Sequence, residues 1–244
     1  MTKPKMIIFD YGHTLLREPG FDHARGQQEM SKYFKVNKSN LTPQEISAFT
    51  DRLFKEMWSE KGRGLELHEH QFLQMLYEYL EIELTIPIAE AESILWTAIA
   101  PGSTMPNIEA VLEYLKQENI RSAVISNIVW SGAALTSRIN RLLPDNNFEF
   151  IIASSEYIFR KPNPLLFELA LKKAKLPASE VWFCGDNVIA DIEGSSAVGM
   201  FPVWYQDLLF ENPWLECPKD LVPNCDHLHI HDWLEFIEVL KTLS

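Results

Sequence analysis

Four stretches of this chain end an apolar run in residues that can do chemistry. MIIF (6–9) runs into Asp10, and SAVIS (122–126) ends in Ser126 with Asn127 after it. FIIAS (150–154) is followed by Arg160-Lys161-Pro162, and VWFCG (181–185) by Asp186, with Asp191 five residues further on. Short runs rich in β-formers that stop at polar or turn residues read as buried strands. In an open parallel sheet, ligands bind beyond the carboxyl ends of the strands. One pocket would then hold three carboxylates, a hydroxyl and a lysine. Neighbouring carboxylates repel unless a cation sits among them. Mg²⁺, a hard cation, takes carboxylates, waters and a phosphate oxygen. A lysine and a hydroxyl neutralise the remaining phosphoryl oxygens, and an aspartate can attack phosphorus. The mixture points to phosphoryl transfer.

The elements that must position these residues alternate. FPVWY (201–205) reads as a further strand, His227 to Ile230 as a short one, and a closing helix starts at Asp232. Between the strands, residues 106–119 carry Ile108, Val111, Leu112 and Leu115 on one helical face, and residues 163–175 begin with an Asn cap and a Pro at the first helical position. Alternation of this kind implies an α/β fold, a parallel sheet with helices on both faces. The interval from Leu16 to Ala100 shows no strand. Thr42-Pro43-Gln44-Glu45 is a capping box, followed by the stripe Ile46, Phe49, Leu53, Met57. A second stripe is Phe72, Met75, Leu76, Tyr79, Leu80, and a third helix covers 88–99. Lys61-Gly62-Arg63-Gly64 is a loop between helices. Residues 206–223, with Pro213, Pro218 and Pro223, read as irregular.

Bulk properties narrow the partners. Among 244 residues, 46% are hydrophobic and 23% charged, as in an ordinary globular protein. The net charge of -12 argues against nucleic acid and anionic membranes as partners. It leaves room for an anionic small substrate in a locally positive pocket. Cys184, Cys217 and Cys225 form no CxxC pair, so no disulfide framework is expected and a reducing compartment is the default. Asp10 interrupts the first apolar run, against a signal peptide, and no run approaches about 18 apolar residues. The cytoplasm is the expected compartment. His68 and His70 stand at i, i+2, which is no metal spacing on a helix. His227, His229 and His231 alternate as on one strand face.

In order along the chain, FDYGHTLL, VISN, RKPNP and GDNVIAD resemble the four motifs of the haloacid dehalogenase superfamily of hydrolases. The resemblance implies a Rossmann-like core over 1–16 and 100–244, with residues 17–99 as an inserted helical cap. It implies a Mg²⁺-dependent phosphatase acting on a small phosphorylated metabolite. Asp10 would be nucleophile and metal ligand, and Gly12 would offer its backbone carbonyl to the metal. Thr14 would support the loop and lie on the substrate side. Ser126 and the backbone around Asn127 would hold phosphoryl oxygens, and Lys161 would balance charge. Asp186 would bind Mg²⁺ directly, and Asp191 directly or through water. Asp191 also reads as the N-cap of a helix starting near Ile192.

One departure stands out. Phosphatases of this family usually carry a second aspartate at the Gly12 position, which protonates the leaving oxygen and later activates water. General acid–base groups of this kind contribute about 10²–10⁴-fold. His13, beside the gap, is one replacement, since imidazole works near neutral pH. A carbon–phosphorus hydrolase would use a cap lysine: Lys32, Lys35, Lys55 or Lys61. A dehalogenase needs no Mg²⁺, and the intact GDNVIAD argues against it. A low-turnover phosphate- or Mg²⁺-binding regulatory protein is an alternative of a different class.

Overall fold

The computed structural model of the protein describes residues 2–61, 64–210, 212, 218 and 220–243. Gly62 and Arg63 of the expected loop, Pro213 and Cys217 lie outside these, as do the side chains of Met57 and Lys61. The elements in chain order are β1 (Met6–Phe9), β2 (Leu16–Arg17), α1 (His23–Met30), β3 (Phe34–Asn37), α2 (Pro43–Lys61), α3 (Glu69–Tyr79), β4 (Ile82–Leu84) and α4 (Ile88–Ile99). There follow β5 (Ser103–Thr104), α5 (Ile108–Gln117), β6 (Arg121–Ser126), α6 (Gly132–Leu142), β7 (Phe148–Ala153), α7 (Pro164–Ala174) and β8 (Val181–Gly185). The chain closes with α8 (Gly194–Ala197), β9 (Phe201–Tyr205), β10 (Leu228–Ile230) and α9 (Trp233–Lys241).

Six strands form one parallel sheet in the order β10-β9-β8-β1-β6-β7. All four residues of β1 are fully buried, which is why that run carries no polar residue. Successive strand residues face opposite sides. Met6, Ile8, Ala123, Ile125 and Phe183 pack on Leu166, Phe167 and Ala170 of α7. Ile7, Phe9, Val124 and Cys184 share the opposite core with Val111 of α5, Leu135 of α6 and Trp233 and Phe236 of α9. Phe9 meets Trp233 edge to face at 5.8 Å. The expected two-sided sheet is present, and Cys184 is a core residue of β8.

The segment between β2 and β5 is largely helical. α1 packs on α4 and α2, and α3 on α4. A Cβ at Gly26 would collide with Ile99 and Leu95, so glycine is what lets α1 approach α4. The capping box forms: Thr42 N donates to Glu45 Oε2 at 2.8 Å, and Glu45 N to Thr42 Oγ1 at 3.3 Å. The expectation of a strand-free insert is corrected by β3 and β4, which pair antiparallel with each other alone. They are short and half-exposed, with Lys35 and Glu83 pointing outward, so they leave no apolar run to read. β2 pairs antiparallel with β5, Leu16 opposite Thr104 and Arg17 opposite Ser103. The two ends of the segment therefore lie side by side.

Candidate active site

Strand register assembles the site. Phe9 lies opposite Val124 of β6 and Cys184 of β8, so the residues that follow all emerge at the same sheet end. The Asp10 amide continues the ladder by donating to Cys184 O at 2.8 Å. Asp10, Asp186 and Asp191 each offer an oxygen within 4.8 Å of the others. Lys161 is buried among them, its Nζ donating to Asp10 Oδ1 at 2.6 Å, to Asp191 Oδ1 at 2.6 Å and to Ile125 O at 3.0 Å. Asn127 holds the lysine's backbone at both ends: its Nδ2 donates to Lys161 O at 2.9 Å and its Oδ1 accepts from Lys161 N at 2.7 Å. The Asn127 side chain is therefore committed to placing Lys161.

The loop after β8 is equally fixed. Asn187, not Asp191, is the N-cap of the turn that follows, its Oδ1 accepting from Ile189 N and Ala190 N. Asp191 sits inside that π-helical turn, Val188–Glu193, and accepts from Asn187 N at 3.0 Å. This corrects the expected cap. The wide turn carries the carboxylate inward to 1% exposure. A Cβ at Gly185 would strike the Asp191 side chain, so the strand must end in glycine there. Asp186 accepts from Asn212 Nδ2 at 2.6 Å, and its carbonyl from Trp204 Nε1 at 3.2 Å. Asn212 lies in the stretch read only as irregular, where nothing in the sequence marked it.

Electrostatics follow from burial. Removal from water pushes the Asp10 carboxyl from 3.8 up to about 6, with Lys161 opposing and Asp191 reinforcing the rise. Burial, then Asp10 and Asp191, drive Asp186 well above the carboxylate range. Burial alone would lower Lys161, but the two aspartates outweigh it and its pKa rises. Two buried carboxylates and a half-buried one, clustered round one ammonium, form a hard-oxygen donor set with surplus negative charge, which fits Mg²⁺.

The site opens into a cavity of about 200 Å³ lined by Asp10, Gly12, His13, Ser126, Lys161 and Asp186, among others. Its far wall comes from the helical segment, with Phe21, Gln27, Thr50, Phe54 and Leu95. Thr14 is not brought there: it is fully buried, and its carbonyl accepts from Trp233 Nε1 at 3.1 Å. The expected place on the substrate side is corrected to that extent: Thr14 is not among the residues that line the cavity. His13 adopts φ 51° and is buried, and its Nδ1 has no hydrogen-bond partner. Burial lowers its pKa. A Cβ at Gly12 meets nothing within 4 Å, so the missing aspartate is not excluded by crowding. Lys32 and Lys35 pair with Glu29 and Glu83 at the surface, Lys55 is exposed, and none of the three lines the cavity. Glu18, which no sequence signal singled out, does line it.

Sequence comparison agrees with this architecture. The family model for haloacid dehalogenase-like hydrolases matches residues 7–204. A glyceraldehyde 3-phosphate phosphatase of Pyrococcus furiosus is 30% identical over 216 residues, spanning 84% of this chain and 82% of that protein. The same-named protein of Pyrococcus abyssi is 32% identical over 102 residues, 42% of each chain. The crystal structure of a HAD phosphatase from Thermococcus onnurineus superposes with a TM-score of 0.61 at 15% identity, covering 100% of this chain and 99% of that one, a likeness of fold. The chain belongs to the haloacid dehalogenase-like hydrolase family and is a hydrolase with a Rossmann-like α/β core. Among the described residues, no helix is long and apolar enough to cross a membrane.

Proposed function

We propose that the protein is a Mg²⁺-dependent phosphomonoester hydrolase that passes a phosphoryl group from a small phosphorylated metabolite to Asp10 and then to water. The observation that supports this most is the buried Lys161 ammonium held 2.6 Å from both Asp10 and Asp191. That contact keeps Asp10 ionised as a nucleophile against its raised pKa, and leaves its second oxygen to react. Asp10, the Gly12 carbonyl, Asp186 and Asp191 would hold the cation, which supplies charge for the phosphoryl oxygens when bound. Ser126, at the end of β6, lines the same cavity and would donate to a phosphoryl oxygen. The relatives' names point to a phosphorylated sugar of triose size. Residues 17–99 would act as a cap that covers the substrate and excludes water.

The test is Mg²⁺-dependent hydrolysis of p-nitrophenyl phosphate and of glyceraldehyde 3-phosphate, with Asp10→Asn as control. Turnover lost in the control supports the reading; turnover that survives removes Asp10 as nucleophile. The lack of an acid–base side chain at Gly12 favours one second reading, a low-turnover phosphate-binding protein. A folded protein that binds Mg²⁺ and phosphate without turnover would select it.

A further inference from the structure

Among the cavity's titratable side chains, Glu18 is a carboxylate fixed by contacts to the loop that follows Asp10. Trp96 Nε1 donates to its Oε1 at 2.8 Å and Tyr11 Oη at 3.1 Å, and Arg138 Nη2 lies 3.3 Å from the same oxygen. Arg138 in turn donates from Nε to Tyr11 Oη at 2.8 Å, and its guanidinium lies over the Trp96 ring at 4.3 Å. Tyr11, buried in this network, is the residue between Asp10 and Gly12. All three contacts fall on one carboxylate oxygen. Among the described residues, no hydrogen bond or ion pair falls on the other oxygen, and the side chain lines the cavity and is 15% exposed. Such a group is anchored at one oxygen and keeps the other for a proton, the arrangement a proton donor requires.

We propose that Glu18 takes the acid–base role that the Gly12 position lacks. This rests on the phosphatase reading of Asp10. In the first half-reaction an Asp10 oxygen bonds to phosphorus as the ester P–O bond breaks, and the Glu18 carboxyl proton passes to the leaving oxygen, giving the alcohol. In the second, a water oxygen bonds to phosphorus and its proton passes to the Glu18 carboxylate. The Asp10–phosphorus bond breaks, and phosphate and free Asp10 result. Burial raises the Glu18 pKa, opposed by Arg138, Trp96 and Tyr11, in the direction an acid working near neutrality needs. The charged and titratable groups that face it are Arg138 from α6 and Tyr11 from the β1 loop.

The experiment compares kcat/KM for p-nitrophenyl phosphate and phenyl phosphate in the parent and in Glu18→Gln. The two substrates are similar in size and differ in how much their leaving oxygen needs a proton. The expected result is a fall at least about 10-fold larger for phenyl phosphate. Adding Gly12→Asp to Glu18→Gln should then recover phenyl phosphate turnover. Equal losses on both substrates, or none, overturn the assignment while leaving Asp10 in place. Absence of Asp10-dependent turnover in the parent overturns the phosphatase reading and this one with it. If Glu18→Gln does not fold, Glu18→Asp keeps the charge on a shorter arm. It should lower the phenyl to p-nitrophenyl ratio about 10-fold, and an unchanged ratio rejects the role.

Discussion

The ammonium of Lys161 sits 2.6 Å from a carboxylate oxygen of Asp10 and 2.6 Å from one of Asp191, with all three residues buried. Removing one partner of a buried ionic group strands the others at a cost of about 3–5 kcal/mol. Lys161→Met should lower the urea unfolding free energy by about that much and abolish turnover. A variant as stable as the parent would mean that the aspartates are neutral or otherwise compensated.

Metal and protons compete for the same oxygens. The folded Asp10 carboxyl titrates at about 6, above its ordinary 3.8. A raised carboxylate pKa stabilises the native state most below about 4, and that contribution is lost as pH rises through 6. Without metal, the melting temperature should therefore fall across this window. On the proposed reading Mg²⁺ would bind the native state, and adding it should raise the melting temperature again, more at pH 7.5 than at pH 5. Asp186→Asn should weaken the Mg²⁺ effect; an equal shift in that variant would place the cation elsewhere.

A Cβ added at Gly12 would meet nothing within 4 Å, so the backbone there has room for a side chain to start. Gly12→Asp should fold with near-parent stability and raise kcat on alkyl phosphates. Steady-state rates on glyceraldehyde 3-phosphate would show it, and a loss of activity would mean that the open space is occupied in catalysis.

Glu92 of α4, 1% exposed, ties the helical segment to the sheet domain. It accepts from Ser131 N and Oγ at 2.6 Å each and contacts His70 Nε2 at 2.8 Å. Hydrogen bonds to charged groups contribute about 1.5–3 kcal/mol each. Glu92→Ala should destabilise by at least about 2 kcal/mol in urea titration. A change within about 0.5 kcal/mol would show that the tie carries no net stability.

The sheet was legible because its strands are apolar runs that stop at polar residues, and strand register then forced Asp10, Ser126 and Asp186 together. α1 was not legible. HARGQQEM carries few apolar residues and a mid-helix glycine, and its signal is only the Asp22 cap on Ala24 N and Arg25 N. The cap after β8 was misread because Asn187 and Asp191 are both good caps, and only the backbone path decides which one is used. Asn212 and Glu18 reach the cavity from loops, whose geometry no periodicity encodes. Thr14 was placed by motif position, but it is fully buried and does not line the cavity.

The antiparallel pairing of β2 with β5 brings the two ends of an insertion of more than eighty residues to within one strand spacing, about 4.8 Å. Closing a long loop has an entropic cost that grows only slowly with its length. Here the two short strands meet that cost locally, whatever lies between them. The inserted helices can therefore be lengthened, shortened or exchanged for another fold without stretching the sheet that holds Asp10. On the proposed reading, what such a segment recognises could vary while the end of the sheet that carries Asp10 stays the same.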